Sequence, residues 1–517
     1  MKKNIYKLYA FAALLTLSAC SSDEAVDTVD TANVDKTLVA MTFTASQEGE
    51  GSTRTYVSEV YNANNKTIVY WTSQDKISVF DVKGSVGKCF ELSSGGDSKK
   101  GVFSGTASDE ADKYTAVYPY TEGAVLNNDG SVSNVVLPST QTATAGSFDP
   151  NAALMMAEST TENKKSLSFK NVIGLVKVNP GFACSKIIIR PSDKTAVLAG
   201  KGKLTYNSGE PKIDFSESDE KSYIITLEGN IEANKDYYIA VPAATLNEKW
   251  SITFVSSDDK VYIRQSDRSI TFERKKVIDL GTFKTADTPW VSGESGIVES
   301  SQEIDLGLEI QISGTNYKVI FAKSNLTALG LAENETDFGD YFAWGATEPW
   351  LTDYTRAADG SVTSPIWKSS QYNTYNWATV PYKDPNADEC NEYTNDGDKL
   401  NVTKDDAARL ILGGEWQIPT LQIWTELMTQ TSSAWEEDKI GYRFTKDDKS
   451  IFLPAAGFFD GIECKDVRYG GNYRSSIAKS NKDVYNLCFI NVSVYSHIYV
   501  RYYGFSIRPI RLAKISD

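Results

Sequence analysis

The side chains of this sequence with the most chemistry to offer are its cysteines, its one histidine and a tyrosine-rich run near the C-terminal end. Cys20 follows an apolar stretch and the small residues Ser18 and Ala19, which admit a peptidase to the bond before it. Cys89, Cys184, Cys390, Cys464 and Cys488 remain, and an odd number cannot all pair. Cys464 and Cys488 come nearest to a redox couple; as a structural bridge or as buried thiols they fit the sequence better than as catalysts. Asp337 and Asp340 offer carboxylates for acid–base work or calcium, but they sit in a glycine–aromatic turn without EF-hand ligand spacing. His497 cannot make a zinc site with cysteines that the sequence does not set beside it. The expectation is therefore no catalytic residue, no metal and no cofactor.

The elements that must carry these residues begin with an export signal. Lys2 and Lys3 precede an apolar run, then Leu17-Ser18-Ala19-Cys20, so residues 1–19 read as a secretory signal peptide. The run falls short of the roughly 20 apolar residues that a spanning helix needs. The segment resembles the lipobox of bacterial lipoproteins, which implies that Cys20 is acylated and holds the chain to an outer membrane. Residues 20–37 are polar and acidic and read as a tether; their Ser21-Ser22-Asp23-Glu24 cluster also resembles a surface-export signal of some Gram-negative lipoproteins. A formal charge of −15 and a single histidine argue against nucleic acid as a partner, because a phosphate backbone demands clustered Lys and Arg. Residues 38–517 suggest about three domains on a prior of roughly 150 residues each.

From residue 38 onward, apolar residues alternate or form short runs broken by Gly, Asn, Asp and Pro, the pattern of sandwich or barrel strands. Such runs include residues 39–44, 77–80, 114–118, 174–178, 186–189 and 237–241. The expected fold is mainly β: one β-sandwich over 38–160 and a second over 161–286. A series of motifs runs through this part: Thr53-Arg54-Thr55, Trp71, Asp75-Lys76-Ile77-Ser78-Val79-Phe80, Leu137-Pro138-Ser139-Thr140-Gln141, Phe148-Asp149-Pro150, Leu198-Ala199-Gly200 and Lys276-Val277-Ile278-Asp279-Leu280-Gly281. In order and spacing it resembles the fimbrillin family. The resemblance implies two transthyretin-like sandwiches and proteolytic processing after Arg54. It also implies other pilus subunits as partners, through a donated strand that replaces the first one. Arg54 lies in a glycine-rich polar stretch of the kind that proteases nick, although an uncut surface arginine is the competing expectation.

Composition shifts near 287, with a turn-rich linker over 287–300 and a loop-rich α+β domain over 301–517. One helix is expected after the Thr420 cap, with Leu421, Trp424 and Leu427 on one side; another is expected through 405–412, stopping at Gly413-Gly414. Asp305-Leu306-Gly307, Asp337-Phe338-Gly339-Asp340-Tyr341-Phe342-Ala343-Trp344-Gly345, Gly414-Glu415-Trp416-Gln417-Ile418-Pro419-Thr420, Leu453-Pro454-Ala455-Ala456-Gly457 and Tyr503-Gly504-Phe505-Ser506-Ile507-Arg508-Pro509 together resemble the major paralogous domain known from Fibrobacter. That likeness implies a fold related to C-type lectins and to the formylglycine-generating enzyme. Arg474 departs from the pattern, standing where an aromatic usually precedes Ser475-Ser476.

Residues 485–503 contain no Lys, Glu, Gln, Met or Trp, and every residue present can arise from a codon ending in a pyrimidine. The segment resembles the variable regions written by diversity-generating retroelements, and its Tyr, Ser, Asn and His suit an adaptable binding surface. The expected ligand contacts are Asn472, Tyr473, Arg474, Asn486, Asn491, Tyr495, His497, Tyr499, Tyr502 and Tyr503. The plainer expectation is a strand pair burying Leu487, Phe489, Val492 and Val494, with Cys488 on a mixed surface. The functional expectation is a surface lipoprotein and pilus subunit, a tip adhesin, whose last domain binds a glycan or protein on another cell. The alternatives are a monomeric glycan-binding lipoprotein of nutrient uptake and an enzyme of the formylglycine-generating type.

Overall fold

The computed structural model describes residues 38–47, 70–207, 209–286, 294–358, 361–377, 405–480 and 482–515. Cys20, the signal and tether segments, Arg54 and Cys390 lie outside them. The described chain is mainly β throughout.

The first of the expected sandwiches has its sheets joined into a closed ring. Strand Leu38–Gln47 lies between Ser166–Asn171, to which it is parallel, and Lys100–Ser108, to which it is antiparallel. Its alternation points Met41, Phe43 and Ala45 inward while the residues between them face water. The Phe43 ring meets Phe90 at 5.3 Å and Tyr114 at 4.8 Å, both edge to face. Trp71 fills the neighbouring part of the core against Phe103, Tyr118 and Phe169.

The expected division at 160/161 falls short of the ring's last strand, Ser166–Asn171, which pairs with both Leu38–Gln47 and Met155–Glu158. Two earlier strands are given up to the second unit: Val132–Leu137 pairs with Ala199–Asn207, and Thr140–Thr142 pairs in parallel with Ile225–Ile231. Gln141, fully buried, fixes that crossing by bonding both the N–H and the carbonyl of Ala240 at 2.9 and 2.8 Å. The second unit stacks the sheet of Tyr237–Val241, Gly174–Pro180 and Val277–Phe283 against the sheet built on Cys184–Arg190.

In the last domain, Thr315–Ala322 pairs with Glu303–Ile312 and with Ile510–Lys514, so the domain's two ends share one sheet. Helix Leu421–Gln430 starts at Thr420, whose hydroxyl accepts from the Ile423 N–H, and buries Ile423, Trp424 and Leu427. Helix Ala407–Leu412 is capped by the buried Asp406 and stops at Gly413.

The second unit and the last domain meet through buried and half-buried polar groups. Arg190 donates to the carbonyls of Ala328 at 2.9 Å and Leu410 at 3.4 Å. Thr226 donates to Glu348 at 3.2 Å, and Glu348 pairs with Lys368 at 2.7 Å. Desolvation works to raise the Glu348 carboxyl, but the charge and hydrogen bond of Lys368 outweigh it and hold the group below its usual range.

Phe43→Ala should cost about 3–5 kcal/mol, the range for emptying an aromatic site in a core, measured by urea denaturation. The Glu348 pair yields a pH prediction. Its folded-state carboxyl is depressed, so its contribution is present above the unfolded value of about 4.3 and is lost as pH falls through the lower folded value. The melting-temperature gap between wild type and Glu348→Gln should therefore close as pH drops from about 6 toward 3.

Candidate ligand-binding face

The tyrosine-rich run forms a hairpin. Asp483–Ile490 is the central strand, flanked by Gly470–Ala478 and by the edge strand Ser493–Val500. Alternation sends Leu487 and Phe489 into the core beside Trp424 and Tyr473, and sends Asn486 and Cys488 to the opposite face. Loops cover that opposite face over the central strand. It emerges to solvent only along the edge strand, at Tyr495, His497 and Tyr499.

Those residues head a continuous aromatic row. Tyr495 and His497 lie 6.2 Å apart at 77°, and His497 and Tyr499 lie 4.9 Å apart at 72°. Tyr499 meets Tyr503 at 5.9 Å, Tyr503 meets Tyr502 at 5.1 Å, and Trp377 closes the row 5.1 Å from Tyr502. Phe458 supports it from below, 5.5 Å from Tyr499 and 5.2 Å from Tyr503. Burial pushes the Tyr499 phenol up to about 12, so its hydroxyl keeps its proton at neutral pH. Asp460 accepts from the Tyr503 hydroxyl at 3.3 Å and pairs with Lys465 at 2.5 Å.

Of the expected contacts, Asn491, Tyr495 and His497 are exposed, and Tyr499, Tyr502 and Tyr503 are half-buried. Asn472, Tyr473, Arg474 and Asn486 require correction, because all of them are buried and have no surface to offer a ligand. Tyr473 donates to the Pro454 carbonyl at 2.8 Å and stacks on Phe489. Arg474, 1% exposed, lies 4.2 Å over the Phe505 ring. It donates to the carbonyls of Phe342 at 3.3 Å, Arg501 at 3.2 Å and Tyr503, and to Asn486 Oδ1 at 3.4 Å. It therefore holds the loop that presents Tyr502 and Tyr503. The strand-pair expectation also needs amendment: Val492 is 77% exposed at the turn, and Cys488 is buried.

Cys464 and Cys488 are free thiols, both pushed up chiefly by burial, Cys488 to about 12. They form no bridge, and neither is primed as a nucleophile. Asp337 accepts from the Asn334 N–H at 2.8 Å, closing a turn, and Asp340 accepts from the Ala328 N–H at 2.7 Å. Among the described residues no group of three or more His, Cys, Asp or Glu is arranged to hold a metal.

An open cleft of about 740 Å³ lies between the second unit and the last domain. Lys194 on one side meets Asp353 at 3.6 Å, and Arg356 on the other lies over Phe338 at 4.8 Å and Tyr354 at 4.9 Å. Neither this cleft nor the roles of Phe458 and Trp377 carried a signal in the sequence, since their neighbours come from distant segments.

No protein-family model and no curated protein matches the sequence. Solved structures similar to it include a Bacteroides ovatus protein described as a candidate cell-adhesion protein, with 14% identity, a TM-score of 0.31, and coverage of 49% of this chain and 95% of that one. A similarly described protein of Bacteroides uniformis shares 14% identity with a TM-score of 0.29, over 43% of this chain and 91% of that one. A fimbrial protein of Bacteroides ovatus shares 13% identity with a TM-score of 0.23, over 92% of this chain and 100% of that one.

Replacing Arg474 by Met should take the guanidinium donor from the Tyr503 carbonyl and a second donor from the Phe342 and Arg501 carbonyls, which keep backbone N–H partners, and destabilise the chain by about 1–3 kcal/mol, read by urea denaturation. Arg474→Lys should recover little of this, because an ammonium cannot span the same carbonyls as a planar guanidinium.

Proposed function

We propose that this chain is a lipid-delivered fimbrial subunit whose last domain serves as the adhesive end of a fibre, binding a ligand through the aromatic row. One observation carries the reading. Strand Leu38–Gln47 completes the core of a closed ring through Met41, Phe43 and Ala45, yet it is the ring's first element in the chain. A cut at Arg54 would sever it from everything after that point, leaving it held by its ladders and core contacts alone. Its departure would open a groove lined by Phe90, Phe103 and Tyr114, which a strand from another subunit could refill by the same ladder hydrogen bonds. In this reading the lipid on Cys20 is a delivery device that leaves with the severed segment. The last domain binds and does not catalyse, in keeping with a half-buried Cys464 and a buried Cys488 whose thiols burial pushes up.

Two measurements test the proposal. Wild-type chain from the cell surface should begin after Arg54 by mass spectrometry and run as a high-mass ladder on unheated gels; Arg54→Ala should abolish the ladder and keep the lipidated monomer. An intact N-terminus on assembled wild-type material would sink it. The Tyr495→Ala/Tyr499→Ala double variant should also lose adhesion to target cells while its melting temperature shifts by only about a few degrees, since neither side chain is a buried core residue.

A further inference from the structure

The outer edge of Ser493–Val500 differs from the other edges in the described chain. All 8 of its residues pair in register with Asp483–Ile490, without a bulge. Its sequence, Ser-Val-Tyr-Ser-His-Ile-Tyr-Val, has no Lys, Arg, Asp, Glu or Pro. Natural sheets blunt their edges with such residues, because unpaired N–H and carbonyl groups on a long flat strand are a template for another chain. Other edges here are guarded: Val261–Gln265 carries Arg264, Glu210–Asp214 carries Pro211, and Ser432–Glu436 ends in Glu436. Tyr237–Val241 is instead buried along its whole length. Among the described residues, nothing pairs with the outer side of Ser493–Val500.

Side-chain geometry favours a strand over a sugar as the occupant. A sugar ring needs the open face of an aromatic, but Tyr495, His497 and Tyr499 stand edge to face with one another, and the Tyr499 ring also packs on Phe458 and Phe505. An added strand would lay alternate side chains along this row and the intervening ones along Val494, Ser496 and Ile498. Charge narrows the choice further. The chain carries −15 overall and Asp466 faces Tyr495 and Tyr499, while Asp460 beside Tyr503 is paired with Lys465. Among the described residues the unpaired charge near the edge strand is thus that of Asp466, and an anionic segment or a second copy of this chain would be disfavoured.

We propose that the ligand of this face is an extended polypeptide segment, free of net negative charge and apolar at alternate positions, which joins the edge of Ser493–Val500 as a further strand. This rests on the reading of the face as a binding surface given above, and it names the ligand's class.

The probe is a fluorescein-labelled peptide of alternating Val and Thr between terminal lysines, matched to the strand in length and titrated against the full chain by fluorescence polarisation. Saturable binding is expected. Methylating one alternate set of its backbone nitrogens should weaken binding about tenfold or more and methylating the other set should change it little, because only one set faces the protein in an added strand. Terminal glutamates in place of the lysines should also weaken it. Ser496→Pro should abolish binding; Ser496→Lys, which leaves the backbone donors in place, should weaken it most at low salt and covers the case in which the proline variant does not fold. Three results would overturn the proposal: no binding of the Val/Thr peptide, equal loss on methylating either set, or a wild-type dimer in sedimentation that Ser496→Pro dissolves, which would assign the edge to a second copy. If the peptide fails while Tyr495→Ala/Tyr499→Ala still abolishes cell adhesion, the binding face stands and the strand ligand falls; if adhesion is unaffected as well, both fall.

Discussion

A domain of short strands joined by long connections buries carbonyls that its ladders and helices do not reach, and a buried carbonyl without a donor costs free energy. In the last domain of this chain buried arginines supply donors to such carbonyls, added to a backbone N–H at Phe342 and Arg501. Arg474 bonds the carbonyls of Phe342, Arg501 and Tyr503. Arg508 bonds those of Ala322 and Lys323 together with Asn325. Arg501 reaches Ser480 at 2.7 Å and lies 4.3 Å over Trp344. A guanidinium suits this work because it presents its donors in a plane and can lay that plane on an aromatic ring. Burial opposes the charge of Arg474 and Arg508; carbonyls offset part of this at both, helped by the Phe505 ring at Arg474 and by the charge of Glu335 at Arg508.

The same device reaches beyond the domain. Arg190, on a strand of the second unit, donates to carbonyls of Ala328 and Leu410 in the last domain, and the half-buried Glu348–Lys368 pair lies in the same joint. Trp367 adds a backbone bond to Asp219 at 2.8 Å, so the hairpin that carries it continues the second unit's hydrogen bonding. Side chains and backbone that interlock in this way resist hinge motion, because rotation would strip several buried polar groups at once. On the reading of the aromatic row as an adhesive face, force applied to it would pass into the β-units through these hydrogen bonds.

Much of this was legible before the structure, and the failures share a physical cause. The apolar run over 39–44 identified a strand, and Pro419-Thr420 marked a helix start, because both signals are local. The division at 160/161 missed because the ring closes through a parallel contact between Leu38–Gln47 and Ser166–Asn171, which no short-range pattern encodes. Asn472, Arg474 and Asn486 read as surface because polar residues usually are. Here they form a satisfied interior layer under the loops, and the departure from an aromatic at 474 was the one sign of it.

That interior layer also limits how the run 485–503 can change. Leu487, Phe489, Asn486 and Cys488 are enclosed, and Arg501 is buried over Trp344, so a substitution at any of them is felt as a cavity, a clash or an unpaired carbonyl. Asn491, Val492, Tyr495, Ser496 and His497 face water, and changes there leave packing intact. The resemblance to a diversified region therefore has a structural meaning only for the second strand of the hairpin and its turn. On the reading of this edge as a binding face, its residues can vary while the central strand, enclosed on both faces, carries the fold.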